Sequence, residues 1–180
     1  MPKSDRADEP GCQRAAANGF DPYLQTWNRL LAYRRMGHPT AKIELIVLGG
    51  TWSSYPEAYQ VWFVRRSLEA LNDFGAGIDR RGEDTEHNSV SEVPEWVALL
   101  ATQRDNESSP SRCVGLAVET RPDLVSDEEV LRIRRLGGTK VQIGVQSLSD
   151  EVLRKNRRGH DVAATRRAFR LLRGAGFKLH

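Results

Sequence analysis

The sequence predicts an α/β fold built on a parallel sheet of strand–helix units, incomplete at its far edge. Three observations predict it. Apolar runs of strand length recur at residues 42–48, 113–118 and 140–145. Helix-patterned segments come between them and after the last, a spacing that implies right-handed crossovers between parallel strands. "FKLH" then opens a fourth strand on which the sequence ends, as expected of a piece of a longer chain.

The first 20 residues are polar, small and unpatterned, and read as a mobile arm ahead of a single domain over residues 21–180. "DPYLQTWNRLLAYRRMG" spaces Leu24, Trp27, Leu30, Leu31 and Met36 on a helical period and stops at Gly37, predicting a helix over 23–36. Lys42–Leu48 is an almost unbroken apolar run rich in β-branched residues, the pattern of a parallel strand covered on both faces. Ser54–Glu57 ("SYPE") has the form of a capping box and starts a predicted helix that runs to Phe74.

Residues 75–111 are loop-rich, with a short helix expected over 94–104. "CVGLAV" is a second buried strand, and Ser126–Glu129 is another capping-box pattern opening a helix that closes on Gly137 and Gly138. "KVQIGV" is a third strand, followed by a short helix in "SDEVLRKNRRG". The helix over 161–176 turns Thr165, Ala168, Phe169 and Leu172 inward, and Arg166, Arg167, Arg170 and Arg173 outward.

Composition narrows the class. With 180 residues, 39% hydrophobic and 28% charged, the chain can bury one core. No stretch reaches the ~20 apolar residues of a membrane span, and "MPKSDRADEPG" lacks a secretory apolar segment, so a cytoplasmic protein is expected. Cys12 and Cys113 form neither a metal-ligand cluster nor a disulfide framework. From Arg121 onward there are 14 Lys and Arg against seven Asp and Glu. That basic third suits a polyanion such as RNA, and equally a solvated helix face.

In parallel β/α folds the functional groups lie just beyond the carboxyl ends of the strands. The segments there are Gly49, Gly50 and Thr51, then "ETRPD" at 119–123, then Gln146 and Ser147. The two glycines allow positive φ and close approach of a ligand to main chain, or simply end the strand. Glu119 and Arg121 suit ligand hydroxyls and a ligand carboxylate, or pair with each other. Gln146 and Ser147 either meet a ligand or cap the next helix.

"FDPYLQT", "IELIVLGGTWSSYPEAYQVWFVR", "CVGLAVETRPD", "VQIGVQS", "NRRGH" and "GAGFKLH", in this order and spacing, resemble the radical S-adenosylmethionine (SAM) core of the Elongator catalytic subunit family over residues 10–180. The resemblance implies a partial parallel (β/α) barrel of radical SAM type. It also implies a tRNA wobble-uridine carboxymethylating activity that uses S-adenosylmethionine, a [4Fe–4S] cluster and acetyl-CoA in the whole protein, with tRNA as partner. By the same resemblance Gly49, Gly50 and Thr51 meet the cofactor's amino group. Glu119 lies near its ribose and amino end, Gln146 belongs to the family's "GVQS", and Arg158 or the adjacent Arg157 faces the cofactor carboxylate.

One departure bears on mechanism. The family's CxxxCxxC-like motif, whose thiolates hold the cluster, is absent here and would lie before residue 1. The acetyltransferase domain is missing too. The isolated chain is therefore expected to be inactive. Two alternatives stand beside this reading: a noncatalytic RNA-binding fragment with its basic face over Arg154–Arg173, and an unrelated β/α barrel that binds phosphate at the Gly-Gly turn.

Overall fold

A computed structural model describes residues 9–48, 50–83 and 89–180. Its elements, in chain order, are helices α1 (Pro10–Ala17) and α2 (Pro22–Arg35), strand β1 (Lys42–Ile46), helices α3 (Glu57–Ala76) and α4 (Trp96–Glu107), strand β2 (Arg112–Thr120), helix α5 (Asp127–Arg135), strand β3 (Lys140–Ile143), helices α6 (Asp150–Lys155) and α7 (Val162–Gly174), and strand β4 (Lys178–Leu179). Short 3-10 turns follow β1 at Trp52–Ser54 and β2 at Pro122–Leu124. The strands form one parallel sheet in the order β1-β2-β3-β4. This is the α/β architecture expected from the recurring apolar runs.

The chain divides into two compact units. One comprises the described residues of Met1–Leu45 and Pro56–Val114, the other Ile46–Tyr55 and Gly115–His180. In the first, α2 and α3 pack through rings: Trp27 meets Phe74 edge-on at 5.1 Å between centroids, and Tyr23 stacks on Trp27. Asp21 caps α2 by accepting from the amides of Tyr23 and Leu24. Helix α3 is buried nearly all round, Arg65 included, whose guanidinium reaches Glu95 at 3.0 Å. Asn106 on α4 accepts from the Cys113 amide at 2.7 Å and so ties the start of β2 to that helix.

The second unit is layered. Val118, Val141 and Ile143 are buried on one face of the sheet, in register with one another or with Thr120. Val130 and Ile133 of α5, Leu136 at its C-cap, and Ala164, Ala168 and Leu172 of α7 are buried as well. Each buried Val, Ile or Leu among them contributes roughly 1.5–3 kcal/mol by leaving water, the two alanines less. The opposite face alternates as strand geometry requires. There Glu119 stands beside Gln142, and Ala117 beside Lys140, which neighbours Lys178. These positions are polar, apart from Ala117.

Four local expectations change. Residues 10–17 form a helix where an unpatterned arm was expected; Pro10 opens it and an alanine run carries it. Strand β1 is not covered on both faces: Ile46 is 49% and Leu48 56% exposed. It is an edge strand, and its apolar composition reports β propensity without reporting cover. The "SYPE" capping box does not form, because Ser54 closes a 3-10 turn onto the Thr51 carbonyl and α3 starts one residue after Pro56. Cys113, expected to be buried, is half-buried.

Candidate functional site

All the described candidate residues belong to the second unit. Parallel pairing of β2 with β3 sends the segments after both strands out at the same end of the sheet. Two hydrogen bonds hold that end together. Gly144 donates its amide to the Thr120 carbonyl at 3.0 Å, joining the exits of β3 and β2. The hydroxyls of Ser53 and Thr120 lie 2.6 Å apart, which pins the loop after β1 to the tip of β2.

Gly49 lies outside the described residues. Gly50 has φ +80°, a conformation that glycine adopts without a Cβ penalty. Thr51 is half-buried, and its carbonyl accepts from the Ser54 hydroxyl and amide. Glu119 is half-buried opposite Gln142.

Arg121 is engaged. Its guanidinium grips Asp123 at 2.9 and 3.1 Å and donates to the Arg158 carbonyl at 2.9 Å. Gly159 permits this, because a Cβ there would stand 2.6 Å from the guanidinium. Arg121 thereby draws the segment after α6 to the exit of β2.

Gln146 is an exposed residue at φ +64°, unusual for a side-chain-bearing position, and its amide nitrogen folds back toward Gly144. Ser147 does not cap the next helix. That role falls to Ser149, whose hydroxyl accepts from the Val152 amide, while the Ser147 hydroxyl accepts from the Ser149 amide at 3.1 Å.

Arg157 and Arg158 differ sharply. Helix α6 ends in a Schellman pattern: Arg157 donates its amide to the Arg154 carbonyl, and Arg158 to the Leu153 carbonyl, both at 3.0 Å. This puts Arg157 in the left-handed position at φ +50°, exposed. Arg158 follows it half-buried, and its Nε is buried without a hydrogen-bond partner.

Sequence reasoning assigned no role to Thr120, Ser53, Asp123 or His160. The His160 side chain is 0% exposed. Its Nε2 lies 3.1 Å from the Val145 carbonyl and its Nδ1 3.8 Å from Asp123. The one available signal was "NRRGH" itself, in which a histidine follows a glycine that must be small.

The pronounced pKa displacements lie in the other unit. Burial, reinforced by the Asp73 carboxylate, pushes the Tyr23 hydroxyl up, and hydrogen bonds from Arg81 hold Asp79 down at about 2. Among the described residues no three His, Cys, Asp or Glu side chains are grouped to hold a metal ion. No helix among them is long and apolar enough to cross a membrane.

Comparison with known proteins bears on this arrangement. The radical SAM superfamily pattern matches residues 10–180. The tRNA uridine(34) acetyltransferase of Methanocaldococcus infernus is 39% identical over 99% of this chain and 30% of its own length. Elongator complex protein 3 of Danio rerio is 35% identical over 95% of this chain and 28% of its own length. The chain thus spans under a third of either relative. The solved structure of the archaeal Methanocaldococcus infernus Elp3 with an N-terminal deletion (1–46) superposes with a TM-score of 0.77 at 38% identity, covering 92% of this chain and 34% of that one. With fold and sequence in agreement, the chain belongs to the radical SAM superfamily, within the family of Elongator complex protein 3 and the tRNA uridine(34) acetyltransferases.

Proposed function

We propose that the carboxyl end of the sheet in the second unit binds S-adenosylmethionine, as part of an enzyme that modifies the wobble uridine of tRNA using acetyl-CoA. The observation that carries this reading is the buried Arg158 Nε, a cationic donor without an acceptor, in a residue whose own carbonyl is tied by Arg121 to the exit of β2. A buried guanidinium donor favours an anionic partner, and a carboxylate matches it best. The amino-acid end of the cofactor offers one.

In this reading Gly49, Gly50 and Thr51 present main chain to the cofactor's amino group. Glu119 accepts from its ribose or amino end, Gln146 and Ser147 border it, and Arg158 meets its carboxylate. Arg121 acts as a strut, with its donors already on Asp123 and the Arg158 carbonyl. Arg157, exposed at the left-handed position, has no part in this reading.

Bound together with an iron–sulfur cluster, the cofactor supplies a hydrogen-abstracting radical. The cluster does not fit the residues present. The chain has two cysteines, Cys12 and Cys113, far apart in sequence and not joined in a disulfide, and three thiolates are needed. The exposed Arg166, Arg167, Arg170 and Arg173 on α7 suit tRNA phosphates.

Calorimetric titration with S-adenosylmethionine tests the cofactor site. Saturable binding is expected, weakened about tenfold or more by Arg158→Ala, the scale of one charge-assisted hydrogen bond. An Arg158→Ala chain that binds as tightly as the parent overturns the assignment. A parallel tRNA titration at rising salt should show affinity falling steeply, and a flat response removes the phosphate contacts.

A further inference from the structure

We propose that His160 is a positioning residue for the Gln146 turn, holding by one hydrogen bond the main chain that borders the cofactor rim. The inference rests on the rim reading above for its purpose, but its physical content stands on the second unit alone.

Gln146 sits at φ +64°, a conformation that a side-chain-bearing residue rarely adopts, so something must hold it there. The local turn contributes one bond, from the Ser147 amide to the Val145 carbonyl at 2.8 Å. The second donor to that carbonyl comes from far along the chain: His160 Nε2 at 3.1 Å. Val145 immediately precedes Gln146, so fixing its carbonyl fixes the peptide plane that sets the Gln146 φ.

The imidazole is itself held. It is wholly buried, and Gly159 beside it leaves room for the Arg121 guanidinium, which fastens both Asp123 and the Arg158 carbonyl. Asp123 in turn stands 3.8 Å from Nδ1. Arg121, Asp123 and His160 therefore link the exit of β2, the segment after α6 and the turn after β3.

A carbonyl oxygen only accepts, so Nε2 must carry a proton in either charge state of the ring. Nδ1 is buried and without a hydrogen-bond partner, with the Asp123 carboxylate 3.8 Å away. His160 thus orients Gln146 without touching the cofactor.

The test uses the full 180-residue chain, isotope-labelled, and two readouts. Long-range proton–nitrogen correlation of the His160 ring should show Nε2 protonated; a neutral ring protonated at Nδ1 alone overturns the proposal in the parent chain with no variant needed. Amide exchange of Ser147 then reports whether the Val145 carbonyl is held. In His160→Phe its protection should fall about tenfold, the scale of a lost hydrogen bond, with Val141 and Ile143 unchanged. In His160→Gln, whose amide nitrogen can replace Nε2, it should stay within about threefold of the parent. Equal loss in both variants, or none in His160→Phe, refutes the strut; if His160→Phe does not fold, the ring tautomer and the His160→Gln exchange decide. None of these readouts involves S-adenosylmethionine. Their failure leaves the Arg158 assignment standing, and failure of the Arg158→Ala titration leaves the strut.

Discussion

Helices α6 and α7 end in the same hydrogen-bond pattern on different residues. After α7 the left-handed position is Gly176, φ +81°, with amide bonds from Gly176 to the Arg173 carbonyl and from Phe177 to the Leu172 carbonyl. After α6 the equivalent position is Arg157. The α7 end is what stability alone selects, because glycine has no Cβ to strain. The α6 end carries strain instead, and so does nearby Gln146. Among the described residues only Phe20, Gln146 and Arg157 have positive φ without being glycine, and two of these three flank the proposed rim. Strained backbone of this kind persists only where the surrounding structure holds it, and it clusters near functional sites even at residues that do not themselves touch a ligand. The packed face and the rim thus obey different rules: one is optimised for burial, the other for the direction in which donors point.

That contrast can be broken by mutation, and the largest effect belongs to the packed face. Leu172→Ala, at a fully buried position on α7, should cost about 2–5 kcal/mol in denaturant unfolding. Affinity for S-adenosylmethionine, measured where the variant is folded, should be unchanged. A parallel loss of affinity shows that face and rim are not separate.

Gly159→Ala should do less to stability and more to the rim. It places a side chain at φ +80° and a Cβ 2.6 Å from the Arg121 guanidinium. The flexible end of Arg121 can move aside, so the expected loss is about 1–2 kcal/mol from the backbone. Its displacement should release the Arg158 carbonyl and weaken cofactor binding by more than Leu172→Ala does. Unchanged binding in calorimetry counts against the strut role of Arg121.

The smallest effect has the opposite sign. Arg157→Gly should raise stability by about 0.5–1 kcal/mol by relieving the left-handed backbone, and should leave cofactor affinity as it was. If affinity falls instead, Arg157 has a part at the rim after all.

Much of the scaffold is readable in order along the chain. The spacing of Leu24, Trp27 and Leu30 marks α2, and the outward arginines of α7 are found exposed. Ser126 caps α5 as its pattern implies. The edge character of β1 was not readable, because Ile46 and Leu48 look like core residues and exposure depends on what packs against them. Nor was the choice between Arg157 and Arg158, which turns on a helix end that leaves one exposed and the other half-buried. The rim as a set of segments was legible from strand ends, whereas the partners inside it were not.

By itself the sequence determined most element types, their order and the Ser126 cap of α5, since periodicity and capping act over a few neighbouring residues. Tertiary structure alone decided that Arg121 braces a carbonyl 37 residues away and that a buried His160 holds the turn before Gln146. The physical reason is range. A hydrogen bond between distant segments exists only once parallel strands have brought their exits together, and no local pattern encodes which donor will meet which acceptor there.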